Sequence, residues 1–421
     1  MQRSGGAVIP MLKNSDNEDV QYIKNRVKIR AGAFEYMKEM EKMPTYPVFS
    51  ESVLSFLDDL SKEILHNKEA KKYADVVTLG FWCRRASIKQ MEKQYENTAL
   101  RIGCGIAFHI APSNVAVNFA YSMIASMLAG NSNIVRIPSK EFKQVDIILD
   151  AINTTIEKHN DIKKRLLLIQ YDRDKKINDY FSWLCDMRVV WGGNTTIAAL
   201  RESPIRPRTR EICFADRYSL CIIDADRYLE DGEKGKIAHG FYNDTYLNDQ
   251  NACTSPKLII WMGNKVEEAQ NIFWQTLSKL VCNTYQINAV QVVDKLDEGL
   301  KFACMCNEKS KPLYSGYKGD NLINRISVSA IDDSLLEIHQ NSGLFFEYKT
   351  NDLKDILPLC TKKVQTVALI DVDEKRLKSF IMENCPRGID RVVHVGKTLD
   401  FSLVWDGYDL ICEMSRIIMI L

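Results

Sequence analysis

Between residues 102 and 191 short apolar runs alternate with longer amphipathic ones, and this alternation restricts the fold more than any other feature of the chain. Ile102–Ala111 reads as a buried strand ending in Pro112-Ser113-Asn114, and a helical pattern follows from Val115 to Ala129, stopped by Gly130-Asn131. Asn133–Ile137 is the next strand, ending in Pro138-Ser139-Lys140, and a helix runs from Val145 to about His159. Leu166–Gln170 and Met187–Trp191 are two more strands, the second leading into Gly192-Gly193-Asn194-Thr195-Thr196. Strands alternating with helices predict an α/β fold built on a doubly wound parallel sheet. Ligands of such sheets bind outside the carboxyl ends of the strands. Three of those ends carry small, polar or cationic residues: Pro112-Ser113-Asn114, Arg136 to Lys140, and Gly192-Gly193-Asn194. Glycines followed by a helix N-terminus can set backbone N–H groups against a phosphate, although ordinary turns also use Gly-Gly.

A chain of 421 residues exceeds one compact core and implies two or three domains. We expect a mainly helical segment over 1–100 packed on a dinucleotide-binding domain over 101–212. A second α/β domain is expected over 213–400, and an apolar terminal segment over 401–421. In the first segment Val53, Leu54, Phe56, Leu57, Leu60, Ile64 and Leu65 form one broad helix face. In the second domain Val266–Cys282 reads as a helix, and Ala289–Val293, Phe345–Tyr348 and Thr366–Ile370 read as strands. The tail ends Ile417-Ile-Met-Ile-Leu421, so it should pack internally or pair with a second subunit, which favours a homo-oligomer.

A net charge of +1 gives no field for nucleic acid or an anionic membrane, and no run approaches the length of a membrane span. The first residues lack the apolar core of a secretory signal, and the twelve cysteines are scattered with no Cys-x-x-Cys pair. Both features fit reduced thiols in a cytoplasm. Cys304 and Cys306 stand too close for an ordinary zinc pair and no paired histidines lie near them, so no metal is expected.

The chemistry concentrates in Asn243-Asp-Thr-Tyr-Leu-Asn-Asp-Gln-Asn-Ala-Cys253-Thr-Ser-Pro256, followed by the strand-like Lys257–Trp261. Asn, Asp and Gln favour irregular loops, and the apolar run anchors that loop to a sheet. A thiol at the mouth of a strand suits a nucleophile. It is equally one small hydrophobe among twelve cysteines.

Several stretches together resemble the aldehyde dehydrogenase superfamily. Phe108–Val117, the strand ending Arg136-Ile-Pro-Ser-Lys140, Gly193-Asn194, Asp224-Ala-Asp226 and Gln250-Asn-Ala-Cys253 stand in the superfamily's order. Ala129–Ser139, Leu247–Cys253, Gly388–Arg391 and Trp405–Leu410 resemble its acyl-CoA reductase branch more closely, the branch that includes the reductase of bacterial luminescence. The resemblance implies Cys253 as the nucleophile holding an acyl thioester. It implies Asn114, with the Cys253 backbone N–H, as an oxyanion hole, although Asn114 also suits a helix N-cap. Pro112, Ser113, Arg136, Ser139, Lys140, Trp191, Gly193, Asn194 and Ile197 correspond to positions around the cofactor. Lys140 stands where many NAD-using members carry a glutamate, and a cation there suits the 2′-phosphate of NADPH, the other reading being a solvated lysine at a helix start. The resemblance sets Glu337 at the glutamate that steadies the nicotinamide ribose; the other reading is a surface helix residue.

One departure is informative. Oxidising members carry a glutamate general base where this chain has Cys213, and Glu211 lies two residues off that register. Without a base to activate water, an acyl-enzyme should resist hydrolysis and wait for hydride. The resemblance therefore implies NADPH-dependent reduction of an acyl-CoA or partner-delivered acyl group to an aldehyde, with an acyl-protein synthetase as a possible partner. A cysteine acyltransferase or thioesterase, and a non-catalytic scaffold of an acyl-transfer complex, are the alternatives. The nucleophile needs a depressed pKa, yet no basic residue stands out beside it in the sequence. His109 and His239 read as core or surface histidines.

Overall fold

In the computed structural model, which describes residues 16–96, 99–112, 115–305, 315–316 and 321–420, the chain forms two units. One extends to Ala215 and takes in the segment from Asp409, and the other spans Asp216–Tyr408.

The first unit is organised by short strands, the central ones apolar and buried. They are β1 (Lys28–Gly32), β2 (Arg101–Gly103), β3 (Ile106–Ile110), β4 (Ser132–Arg136), β5 (Leu166–Gln170), β6 (Met187–Trp191) and β7 (Arg210–Phe214). Six of them make one sheet in the order β1-β5-β4-β3-β6-β7, parallel throughout except that β1 runs antiparallel to β5. The chain winds outward from β3 through β4 to β5, then crosses back to place β6 and β7 on the other side of β3. The switch point therefore lies between β3 and β6, where a crevice opens at the carboxyl ends. Helices Asn118–Leu128 and Lys143–Ile156 join β3, β4 and β5, while Lys175–Leu184 and Asn194–Arg201 lead on to β6 and β7. Phe108, Ile134, Leu167 and Ile169 bury one sheet face against Phe34, Met37 and Phe181.

One sequence expectation changes here. The run from Ile102 is two strands rather than one, because Gly105 takes φ +141° and a Cβ there would lie 2.0 Å from Asp186 Oδ2. Asp186 uses that oxygen to accept the Ile106 N–H at 2.9 Å, which resets the chain for β3. The described part of the first hundred residues is mainly helical, and its one strand, β1, adds an antiparallel edge to the sheet. The apolar tail pairs its strand Ser415–Ile417 antiparallel with β2 and buries Leu410, Ile411 and Met414, leaving Ile417, Met419 and Ile420 exposed.

The second unit holds β8 (Tyr218–Asp224), β9 (Pro256–Met262), β10 (Ser315–Gly316), β11 (Asn324–Ser327), β12 (Leu344–Lys349), β13 (Val364–Ile370) and β14 (Arg391–His394). They form one sheet ordered β10-β11-β12-β9-β8-β13-β14, antiparallel only at β10–β11. Side-chain alternation splits the core cleanly. Leu220, Ile222, Leu258, Ile260 and Phe346 face one layer. Cys221, Ile223, Ile259, Trp261 and Phe345 face the other, against Phe241, Phe273 and Trp274 of the helices Lys234–Thr245 and Val266–Thr284.

Ala289–Val293 is a correction: it begins the helix Ala289–Met305 rather than a strand. Its β-branched residues suggested a strand, but the Asn288 N–H donates to Gln291 Oε1 at 2.7 Å, closing the first turn in the manner of a capping box. The helix is anchored by buried Lys295, whose ammonium donates to the carbonyls of Asn321 and Ser342 at 2.7 and 2.9 Å. No helix among the described residues is long and apolar enough to cross a membrane.

Candidate functional site

Cys253 lies in the turn that delivers the chain into β9, at the amino end of that strand. The loop is fixed from several sides. After the helix Lys234–Thr245 the chain passes through Asp249 and Gln250 at φ +50° and +59°, a left-handed pair that residues other than glycine rarely adopt. Tyr285 donates its hydroxyl to Asp249 Oδ1 at 2.7 Å, and the Ser342 N–H reaches the Asp249 carbonyl at 2.8 Å. Gln250 is fully buried, and its amide donates to the carbonyls of Pro256 at 3.0 Å and Leu344 at 3.1 Å. Its oxygen accepts the Gly343 N–H at 3.0 Å, so one side chain ties the loop to the starts of β9 and β12. Ser219 of β8 donates to the Cys253 carbonyl at 2.6 Å and itself accepts the Thr366 N–H. The Cys253 N–H donates to no oxygen among the described residues and lies against its own sulfur.

The electrostatics differ from the sequence expectation. Burial pushes the Cys253 thiol up to about 12, and the Asp406 carboxylate adds to the rise. Lys257 and Arg217 oppose it without overcoming it, and so does the residue's own N–H. The depressed pKa expected of a nucleophile is therefore absent from the resting chain, although basic groups are present. Lys257 was open to notice in the sequence, as the one charge heading an otherwise apolar strand.

Two charges of the C-terminal motifs, Asp406 and Arg391, act electrostatically with the same cysteine. Arg217 pairs with Asp390 and lies 3.8 Å from Asp406, which also accepts from Gln365. Arg391 donates to the carbonyls of Thr398, Lys397 and Asp400 at 2.7, 3.0 and 2.6 Å, its guanidinium 4.8 Å from the Trp405 ring. Gly388–Arg391 and Trp405–Asp406 thus frame the charged side of the site. Asp224 and Asp226 have a different duty: the first caps its helix at the Arg227 N–H, and the second accepts from the Asn264 and Lys265 amides. The exposed cleft lined by Trp261, Gly263, Asn264 and Lys265, about 590 Å³, lies at the opposite end of β9 from the thiol.

In the first unit the expected cofactor residues gather at the carboxyl ends of the sheet. Pro112 follows β3, Arg136 ends β4, and Gly193 caps the helix Asn194–Arg201 after β6, receiving the Ile197 N–H at 3.0 Å. Arg136 rests 4.6 Å over the Tyr171 ring and donates to the Tyr171 carbonyl. Ser139 and Lys140 are exposed, the ammonium of Lys140 lying 5.1 Å from the Phe142 ring centroid. Trp191 is buried, stacked on Phe214 at 3.6 Å, with its N–H on Ser122, and Ile197 is buried in the core. Ser113 and Asn114 lie outside the described residues. Glu337, in the second unit, is exposed and paired with Lys363 at 2.9 Å.

His109 is a core histidine. It is fully buried between Ser122 and Asn133 at 2.8 and 3.0 Å, and burial pushes it down to about 4, so it is neutral near pH 7. His239 is exposed on its helix. Glu211 has both oxygens engaged, by Arg188 at 2.7 Å and Arg201 at 2.8 Å. Burial opposes its ionisation, but the two arginines win and hold its pKa low. Cys213 is pushed up to about 11, chiefly by burial. No cluster of three or more metal-ligating side chains occurs among the described residues, and none of the eleven described cysteines is in a disulfide.

Comparison with known proteins bears on the fold and on the family. A glyceraldehyde-3-phosphate dehydrogenase from Methanocaldococcus jannaschii, solved with NADP, superposes with a TM-score of 0.63 at 14% identity, over 95% of this chain and 93% of that one. An NAD-dependent benzaldehyde dehydrogenase from Corynebacterium glutamicum gives 0.60 at 12% identity, over 91% and 86%. The fold is therefore that of the aldehyde dehydrogenases. In sequence, the long-chain acyl-protein thioester reductase of Photorhabdus laumondii is 23% identical over 322 residues, 75% of this chain and 62% of that protein. The enzyme of the same description from Vibrio harveyi is 23% identical over 320 residues, 75% and 63%. The chain thus spans a little under two thirds of the length of these curated relatives. Residues 12–291 match the family of acyl-CoA reductases (LuxC), and the chain belongs to that family.

Proposed function

We propose that this chain reduces an activated fatty acyl group to an aldehyde through an S-acyl intermediate on Cys253, with NADPH as the reductant. The observation that carries the reading is the placing of Cys253, a residue of intermediate exposure with a desolvated thiol, on a tightly braced loop at the start of a strand, its own N–H having no other acceptor among the described residues. The donor is an acyl-CoA or an acyl-protein thioester, and the names of the relatives favour the second.

The first unit suits a dinucleotide. The switch point between β3 and β6 ends in Gly192-Gly193 and a helix N-terminus, and a side chain at Gly192 would press on Thr196 at 3.2 Å. Arg136 offers a half-buried guanidinium, and Lys140 an exposed ammonium without an ion pair among the described residues. A bound NADPH supplies hydride to the acyl carbonyl. The remaining work belongs to the protein. The Cys253 sulfur attacks the acyl carbon, and the adjacent N–H steadies the oxyanion, a donor of the kind that contributes about 3 kcal/mol. Because Arg188 and Arg201 hold both Glu211 oxygens, that carboxylate does not activate water, which supports reduction over hydrolysis.

Intact-protein mass spectrometry after mixing with long-chain acyl donors should show one acyl adduct, lost in Cys253→Ala. NADPH should then release the label as aldehyde. Absence of the adduct sinks the covalent reading. Release as acid without nicotinamide favours a thioesterase.

A further inference from the structure

A row of buried polar side chains crosses the middle of the first unit. Side-chain alternation sends Phe108, Ile134 and Val190 to one face of the sheet and His109, Asn133 and Trp191 to the other. On that second face they are joined end to end with Ser122, from the helix that follows β3. The Trp191 indole N–H donates to Ser122 Oγ at 3.0 Å, Ser122 Oγ lies 2.8 Å from His109 Nδ1, and His109 Nε2 lies 3.0 Å from Asn133 Oδ1. Asn133 Nδ2 donates to the Asn131 carbonyl at 2.9 Å, and Asn131 Nδ2 donates to the Met414 carbonyl of the C-terminal segment at 2.8 Å. Asn131 is held in that orientation because its Oδ1 accepts the Cys104 and Gly105 N–H groups at 2.6 and 3.2 Å. His109, Ser122, Asn131 and Asn133 are each 3% exposed or less.

The two ends of the row leave one arrangement of its protons. A backbone carbonyl can only accept, so Asn133 turns its NH₂ to Asn131 and its oxygen to His109, and His109 must donate from Nε2. Burial keeps the imidazole neutral near pH 7, which leaves Nδ1 bare and makes it the acceptor of the Ser122 hydroxyl hydrogen. Ser122 in turn accepts from the indole, which can only donate. Every bond from Trp191 to Met414 therefore donates in the same direction. A satisfied buried row of this kind selects one geometry more than it adds stability. The geometry it selects is that of the end of β6. Trp191 is the last residue of that strand, stacked on Phe214, and Gly192 follows with its N–H on the Phe214 carbonyl at 3.1 Å. The indole reaches from β6 across the switch point to the helix after β3, and the Gly192-Gly193 turn starts from it.

We propose that His109 is a positioning residue for the cofactor crevice: through Ser122 it sets the Trp191 indole, and through Asn133 and Asn131 it ties that wall to the C-terminal segment. This role rests on the crevice being the nicotinamide dinucleotide site.

Long-range proton–nitrogen correlation in the ¹⁵N-labelled full chain should show His109 near pH 7 with a bare Nδ1 and a protonated Nε2. Ser122→Ala removes the link between Trp191 and His109. Its Trp191 indole N–H resonance should shift, and NADPH, titrated by cofactor fluorescence, should bind about tenfold more weakly, the loss expected of one buried hydrogen bond. Ser122→Thr keeps the hydroxyl and should restore both. A proton on Nδ1 overturns the proposal, and so does a folded Ser122→Thr chain that binds no better than Ser122→Ala. The tautomer is read on the unaltered chain, so it does not depend on whether a variant folds. An unaltered chain that binds no nicotinamide sinks the cofactor reading and this role with it. An unaltered chain that binds, while Ser122→Ala binds equally well, sinks this role alone.

Discussion

Gln250 offers the sharpest test of how the nucleophile is held. Its carboxamide makes three hydrogen bonds to buried backbone groups that have no water to turn to. Removing it forfeits about 1 kcal/mol per bond and strands two carbonyls and one N–H, so Gln250→Ala should destabilise the second unit by about 4 kcal/mol. Gln250→Glu is the more telling change because it keeps the shape. One carboxylate oxygen can still accept the Gly343 N–H, but the other replaces an NH₂ and faces the Pro256 and Leu344 carbonyls. Burial and those carbonyls disfavour the charged form, so the folded pKa of the new carboxyl lies above its unfolded value. Its contribution to stability is then complete below the unfolded pKa and is lost as pH rises through the folded one. The defect should grow from pH 5 to pH 8, by at most about 1.4 kcal/mol per pH unit. Urea unfolding, read from the fluorescence of Trp261 and Trp274 in the same unit, measures it. A Gln250→Ala loss under about 1 kcal/mol, or a Gln250→Glu defect independent of pH, would refute the reasoning.

Two further predictions concern the charges around each site. Asp406 is raised to about 6 mainly by burial, so its stabilising contribution falls away as pH climbs through that value; Asp406→Asn should therefore gain stability on the parent between pH 5 and 7. The same change removes a negative charge that raises the Cys253 pKa, and asparagine tolerates the φ of +52° there, so alkylation of Cys253 should quicken; an unchanged rate would mean that Asp406 does not act on the thiol. Lys140→Glu should weaken NADPH about tenfold, roughly 1.4 kcal/mol, while leaving NADH almost unaffected, and equal losses for both in a titration of cofactor fluorescence would remove Lys140 from the 2′-phosphate.

Much of the frame was legible because it is local. Leu166–Gln170 and Met187–Trp191 are strands with the bounds their apolar runs suggest, and the loop before Lys257 is irregular as its Asn, Asp and Gln content requires. What escaped is set by partners distant in sequence. Lys28–Gly32 has no strand signature of its own and becomes an edge by pairing with β5. Ala289–Val293 is rich in β-branched residues like a strand, but its helix is decided by Gln291 and by the anchoring of Lys295. Gln250 reads as one more loop polar residue until Leu344 arrives beside it. The pKa of Cys253 is likewise a property of burial in the folded unit, and no motif spells it out.

That raised pKa bears on how such a thiol survives between turnovers. Oxidation proceeds through the thiolate, and a thiol pushed up to about 12 presents almost none near pH 7. Cys282, Cys304 and Cys385 are exposed, so they are open to peroxide in a way that Cys253 is not. Limited hydrogen peroxide at pH 7, followed by sulfenic-acid trapping and peptide mass spectrometry, should mark those three well before Cys253. Had the loop been built to hold a standing thiolate, the order would be reversed, with Cys253 trapped first and activity lost in parallel. That reversal would contradict a nucleophile kept protonated until an acyl donor arrives.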